Sequence, residues 1–213
     1  MNFFHKLLDP PGKPHPRFTA YSIILLLLAS AFCVIAGTMA MPDGYVWLKH
    51  SISESAAQGM EAAWVARFSF LLYGCAVLWL VVSLRSVWAR SVYWMHMVFA
   101  LSMIGTAAFS HKPWIEGVPF DAFEDFLHSL TATGMGFAFS FGVLFRFLQR
   151  KGGERLNKLF DIAALAVATI STPMGIMLPS IPGLIQRIMF AVAYLWYVRE
   201  ALSGIAGEKT SKG

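Results

Sequence analysis

Six long apolar stretches, each of about twenty residues, alternate with short polar segments along the 213-residue chain. The apolar residues within each stretch are continuous rather than alternating with polar ones, which is typical of membrane-spanning helices and not of barrel strands. We therefore predict an all-α fold in which a bundle of six transmembrane helices occupies residues 1–213 as a single domain. The predicted spans are about 20–41, 63–84, 91–110, 126–147, 159–178 and 183–204.

The composition agrees with this pattern. Hydrophobic residues make up 57% of the chain and charged residues only 14%, whereas about a quarter of the residues in a soluble domain are charged. Six spans of this length leave no room for a separate soluble domain. The sequence therefore indicates a polytopic integral membrane protein.

The basic residues are distributed unequally between the two sides that these spans define. The N-terminus, the second and fourth connections and the C-terminus carry 13 Lys and Arg residues against 5 Asp and Glu, and the opposite side carries 4 against 7. The positive-inside rule then predicts cytoplasmic N- and C-termini in a bacterial inner membrane. We interpret the net charge of +5 as topology signals and contacts with anionic membrane lipids, and we expect no nucleic-acid partner.

The most polar connection on the predicted outer side leads into the fourth span and reads HKPWIEGVPFDAFEDFLH from His111 to His128. If its second half is helical, Asp121, Asp125 and His128 lie on one helix face. Imidazole and carboxylate suit zinc or a similar cation, so these three residues with His111 form a candidate metal site. The segment lacks HExxH and CxxC motifs, so we favour an ion-pair network in which these carboxylates pair with Arg67 and Arg187. A polar ligand pocket and the metal site are the alternatives.

Several other polar residues reach the same outer side in this topology. Ser51 and Glu54 form a capping-box pattern, which predicts a short helix at that point. Arg67 lies about one turn inside the second span, where a charged side chain requires a partner, and we expect that partner to be a nearby carboxylate. Arg187 opens the sixth span from the same side.

The two histidines inside the spans do not indicate a haem site. His96 lies in the inner half of the third span and His128 at the outer end of the fourth, so the two cannot ligate one haem. We expect His96 to hydrogen-bond to a neighbouring helix, and we expect no haem cofactor.

Two further expectations concern the fourth and fifth spans. The small residues Ala132, Gly136 and Ser140 repeat every fourth position, which predicts a groove for close approach of another helix. Asp161 lies near the inner end of the fifth span, where we expect a surface ion pair with Lys158.

Three segments carry a resemblance to a known family. The segment KHSISESAAQGMEAAWVARFSFLLYG, the D-x-x-H that starts at Asp125 and the final PGLIQRIMFAVAYLWY resemble an uncharacterised prokaryotic membrane family, domain of unknown function 998. The resemblance covers nearly the whole chain and implies a six-helix integral membrane protein without an established activity. By position it implies a polar set made of Ser53, Glu54, Arg67, Asp125, His128 and Arg187.

The chain is also loosely similar to the membrane hydrolase superfamily that contains alkaline ceramidases, which combine a serine, an aspartate and three histidines at a zinc site. It departs from that pattern because its last span contains no histidine. We expect a lipid-binding or small-ligand-binding role, or that of an accessory subunit with a membrane-protein partner or a second copy. A metal-dependent lipid hydrolase using Asp125 and His128 is the alternative, and a small transporter is the third class.

Overall fold

The computed structural model describes residues 17–151 and 153–210, and over these residues it contains helices and no strand. The prediction of an all-α chain is thereby confirmed for the described part. The helices are α1 (Arg17–Met39), α2 (Ile52–Ser55), α3 (Ala63–Ser83), α4 (Arg90–Ala108), α5 (Ala122–Gln149), α6 (Arg155–Met177) and α7 (Pro182–Thr210).

Five of the described helices, α1, α3, α4, α5 and α6, are long and apolar enough to cross a membrane. Their large apolar side chains also point outwards: on α1, Leu25, Leu28 and Phe32 are all more than half exposed. Such a surface is stable in a hydrocarbon solvent and not in water. The sixth predicted span coincides with α7, which is not among these five.

The long helices form a ring. Each one packs on the next along the chain, and α7 returns to pack on α1. Short connections make neighbouring helices antiparallel, so the bundle has two ends. We call one the histidine end, which carries residues 40–62, 109–121 and 178–181, and the other the arginine end, which carries residues 84–89, 150–151 and 153–154.

Aromatic side chains fill the centre of the ring. Tyr73 of α3 stacks on Tyr194 of α7 with ring centroids 4.1 Å apart, and Phe99 of α4 lies 5.1 Å from Tyr197 of α7. His96 of α4 is completely buried beside them, and its Nδ1 lies 2.9 Å from the Tyr197 hydroxyl. The expected bond from His96 to a neighbouring helix is therefore present. Packing and interhelical bonds of this kind hold helices together in lipid, where the hydrophobic effect between helices is weak.

Candidate functional site

The short helix α2 at the histidine end is held by bonds among residues that are close together in the chain. The Ser51 hydroxyl accepts a bond from the backbone N–H of Glu54 at 3.1 Å, and the Glu54 carboxylate accepts one from the backbone N–H of Ser51. This capping box satisfies two otherwise free amides. Nδ1 of His50 lies 3.3 Å from the other oxygen of Glu54. Ser53 is half-buried and contributes its backbone carbonyl to the end of α2.

Arg187, near the start of α7, bonds to the connection that precedes α2. Its guanidinium donates to the carbonyls of Trp47 at 2.6 Å and His50 at 2.7 Å, and to the Tyr45 hydroxyl at 2.9 Å. Burial raises the pKa of Tyr45, although the charge of Arg187 acts in the opposite direction. Gly183 allows this close approach, because a Cβ atom there would lie only 2.3 Å from the His50 carbonyl oxygen.

Two glutamine side chains at this end form hydrogen bonds with backbone groups of other segments. The Gln186 side-chain oxygen accepts a bond from the backbone N–H of Ile52 at 2.6 Å. Gln58 accepts from the backbone N–H of Asp121 at 2.7 Å and donates to its carbonyl at 3.0 Å. Each joins segments that are distant in the chain. Gln186 was expected at this end beside Arg187, whereas Gln58 was not singled out by the sequence pattern.

The connection that leads into α5 is held by side chains of that helix. Asp125 accepts a bond from the backbone N–H of Lys112 at 2.8 Å, and Nε2 of His111 lies 3.9 Å from the same carboxylate oxygen. The buried His128 ring places Nδ1 2.8 Å from the carbonyl of Phe109. These bonds fix the path of the chain between α4 and α5.

Arg67 caps the end of a helix. Its guanidinium donates to the carbonyls of Ala107 at 3.0 Å and Ala108 at 2.8 Å, which are among the last carbonyls of α4. These groups lack helical partners and carry partial negative charge. The expected pairing of Arg67 and Arg187 with carboxylates is therefore wrong: in the described part of the chain, both arginines bond to backbone oxygens instead.

The four candidate metal ligands each take part in local bonds. Asp121 is the N-cap of α5 and accepts from the backbone N–H of Phe123 at 2.8 Å and Glu124 at 3.2 Å. The rings of His111 and His128 meet edge to face at 5.3 Å. Within residues 17–151 and 153–210, no group of three or more His, Cys, Asp or Glu side chains is arranged to hold a metal ion.

The arginine end contains a buried network of charges. Arg150 bonds to both carboxylate oxygens of Asp161 on α6, one of them at 3.0 Å, and to Glu200 on α7. Arg146 of α5 donates to the other oxygen of Glu200 at 2.8 Å. At most 8% of any of these four residues is exposed. The network therefore joins the adjacent ends of three helices.

Two tryptophans complete the bonding of the buried acids. The Trp196 indole N–H donates to Asp161 at 2.8 Å, and the Trp88 indole N–H donates to Glu200 at 3.2 Å. Asp161 is fully buried and paired with Arg150, so the expected surface pair with Lys158 is wrong. Buried ions are tolerated where their partners and hydrogen bonds are complete.

Arg150 is the first residue after α5, and the neighbouring acids determine the pKa of its guanidinium. Burial by itself would lower the pKa of its guanidinium, but the bonds and charges of Asp161 and Glu200 reverse that effect and raise the pKa. The guanidinium therefore stays charged while buried.

A cavity of about 1200 Å³ lies beside this network, mainly between α5, α6 and α7. Along α5 its lining runs from Ala132 to Phe147, a length of about 22 Å at the helical rise. Asp161 lies at its arginine end. Two lining residues, Phe137 and Ile170, are half exposed or more on the bundle surface, so the cavity opens sideways.

The row of small residues on α5 lines this cavity. Ala132, Gly136 and Ser140 all belong to the lining, and a Cβ atom added at Gly136 would meet no heavy atom within 4 Å. The expectation that this row forms a close helix contact is therefore wrong at Gly136. At Gly136 the row of small residues leaves room for the cavity and does not contact another helix.

Comparison with known proteins identifies one relationship. A family model described as a protein of unknown function (DUF998) matches residues 17–202. No curated protein and no solved structure matches the chain.

Proposed function

Because the chain belongs to the DUF998 family of proteins of unknown function, we propose its role from the cavity: it is a membrane protein that holds the apolar chain of a lipid between α5, α6 and α7. The proposal narrows the broader expectation of a lipid-like or small polar ligand. It places the ligand inside the bundle rather than at the histidine end.

The membrane placement that we propose has six crossings, with both termini in the cytoplasm of a bacterial cell and the arginine end facing inwards. The excess of Lys and Arg at that end supports this orientation. The packing of α7 on α1 and α6 supports its inclusion as the sixth crossing, and a bacterial inner membrane is the matching location.

The observation that carries the proposal is the cavity within the apolar part of the bundle. Its volume of about 1200 Å³ exceeds the several hundred cubic ångströms of an ordinary small-molecule site. Its length of about 22 Å covers most of a hydrocarbon core of about 30 Å. An elongated apolar ligand that enters sideways from the bilayer fits this shape.

Three polar side chains of the lining, Ser140, Thr169 and Asp161, are already engaged, which argues against a strongly polar ligand. The Tyr73 hydroxyl also lies in the lining and has no hydrogen-bond partner among the described residues. The Ser140 hydroxyl donates to the carbonyl of Gly136 at 3.0 Å, and the Thr169 hydroxyl donates to that of Leu165 at 2.8 Å. Asp161 is bonded to Arg150 and Trp196. A strongly polar molecule would lose its hydration here and find few new partners, the Tyr73 hydroxyl among them.

The polar set at the histidine end has a supporting role in this proposal. Its members hold the two long connections against the ends of the helices, so that the bundle is closed at that end. These members are Glu54, Arg67, Asp125, His128 and Arg187; Ser53, the sixth residue of the set, contributes only its backbone carbonyl to α2.

The proposal is tested with a substitution that fills part of the cavity and leaves the fold intact. Gly136→Leu adds a side chain where a Cβ atom meets open space, and Leu is a better helix former than Gly. Native mass spectrometry of the purified protein should show a bound lipid in the wild type and its loss in Gly136→Leu, with an unchanged or higher melting temperature.

Gly175→Leu is the matched control, because a Cβ atom at Gly175 also meets nothing within 4 Å and Gly175 is not part of the cavity lining. This variant should keep the lipid. Equal retention of lipid by the wild type and Gly136→Leu would contradict the proposal.

A further inference from the structure

We propose that the lipid in this cavity is an anionic glycerophospholipid whose phosphate lies against Lys158 at the arginine end. This inference rests on the proposed function and adds the chemistry of the headgroup to it. Two independent features support it: the position of the Lys158 ammonium and the pairing of the acids around it.

Lys158 lies at the mouth of the cavity. It precedes Ile162, a lining residue, by one helical turn on the same face of α6. Its Nζ lies 5.6 Å from the ring centroid of Phe147, which lines the cavity from α5. The aliphatic part of a lysine packs on apolar surface while the ammonium reaches the polar boundary. Lys158 thus places a positive charge where the apolar lining ends.

The described acids nearest to the mouth form ion pairs with arginines and not with Lys158. Asp161 and Glu200 are bonded to Arg150, and Glu154 is bonded to Arg150 at 3.2 Å. Among the described side chains, Lys158 contacts the Phe147 ring and forms an ion pair with no carboxylate. Together these three carboxylates carry one more negative charge than the guanidiniums of Arg146 and Arg150, but the Lys158 ammonium is paired with none of them and stays available to a ligand.

An anionic phospholipid complements this arrangement in charge and in length. A phosphate at Lys158 directs the acyl chain along α5 towards Gly136, within the apolar lining. A compact ammonium binds a phosphate as a point charge, and a basic side chain near a membrane surface contributes about 1 kcal/mol of attraction to anionic lipid. That contribution corresponds to a preference of about five-fold over a zwitterionic lipid.

The experiment measures headgroup preference directly. The full-length protein is reconstituted in nanodiscs with equal amounts of phosphatidylglycerol and phosphatidylcholine, and the bound lipid is identified by native mass spectrometry. The wild type should retain phosphatidylglycerol about five-fold over phosphatidylcholine. Lys158→Gln should reduce the ratio to near one while total lipid occupancy stays the same.

Lys151→Gln is the control, because Lys151 is an exposed lysine at the same end of the bundle. Neither lysine is a lining residue, but only Lys158 lies over the ring of a lining phenylalanine. Lys151→Gln should keep the wild-type ratio. A wild-type ratio near one, or a ratio that Lys151→Gln lowers as much as Lys158→Gln, would overturn the headgroup assignment. If lipid remains bound in those cases and Gly136→Leu removes it, the cavity proposal stands; if the wild type binds no lipid, both proposals fail.

Discussion

The two ends of the bundle use their charged residues in opposite ways. At the histidine end, charged and polar side chains bond to backbone groups, as Arg187 does with the carbonyls of Trp47 and His50. At the arginine end, charged side chains bond to one another, as Arg150 does with Asp161 and Glu200. The comparison shows that residue types alone do not indicate whether a polar cluster carries chemistry or holds chain segments in place.

The lengths of the connections explain the difference. Residues 40–62 and 109–121 form long connections with many backbone groups outside regular structure, and each buried group of this kind needs a partner. The described residues of the arginine end, 84–89, 150–151 and 153–154, belong to short connections, which place few such groups near the helix ends. The charged side chains at the arginine end are therefore left to satisfy one another.

The largest effect should come from breaking the buried charge network. Arg150→Met leaves Asp161 buried without its main cation, and removal of one partner from a buried pair costs about 3–5 kcal/mol. The unfolding free energy, measured by SDS titration of the protein in mixed micelles, should fall by that amount. Arg155→Met, an exposed arginine at the same end, is the control. Similar losses in both variants would mean that the network contributes nothing specific.

A smaller effect is expected from the corresponding arginine at the histidine end. Arg187→Met removes charge-assisted bonds to three carbonyls and a hydroxyl, at a cost of about 2 kcal/mol, because no buried carboxylate is left unpaired. Lys49→Met, an exposed position in the same connection, should be near neutral. If Arg187→Met destabilises the protein more than Arg150→Met, the contrast between the two ends is wrong.

Within the histidine end, the capping box and Ser53 should behave differently. Ser51→Ala removes the side-chain acceptor of the cap and should cost about 1 kcal/mol. Ser53→Ala should change the unfolding free energy by less than about 0.5 kcal/mol, because the Ser53 hydroxyl makes no hydrogen bond among the described residues. Hydrogen exchange over α2 reports both changes locally, and equal effects would refute the assignment of the cap to Ser51.

The smallest effect concerns pH at the arginine end. Burial by itself would raise the pKa of Glu154, but bonds from Asn157, the Lys151 backbone N–H and Arg150 lower it below its usual value of 4.5. The folded protein then binds this proton less readily than the unfolded chain, so the stabilisation is present above about pH 4.5 and is lost as the pH falls through the lower folded value.

Glu154 is partly exposed, so its contribution should stay below about 1 kcal/mol. Melting curves of the wild type and Glu154→Gln should converge as the pH is lowered from 6 towards 3, whereas a constant difference would show that the carboxylate charge is not responsible.

Local motifs were predictable from the sequence, and long-range partners were not. The Ser51–Glu54 cap was predicted because both partners lie within four residues. The network at the arginine end was missed, although Arg146, Asp161 and Glu200 each fall inside a predicted span. A charge inside an apolar span requires a partner, and applying that rule to all three would have indicated the network. Which charge pairs with which still depends on how the helices pack.

The sequence by itself determined that the chain is helical and that at least five of its segments can cross a membrane, because a bilayer requires apolar helices of a minimum length. Only the tertiary structure decided that Arg67 and Arg187 cap backbone groups, that Asp161 is buried, and that Gly136 faces a cavity. These outcomes depend on the rotation and spacing of neighbouring helices. Apolar residues are nearly equivalent in lipid, so the apolar pattern alone does not specify either quantity.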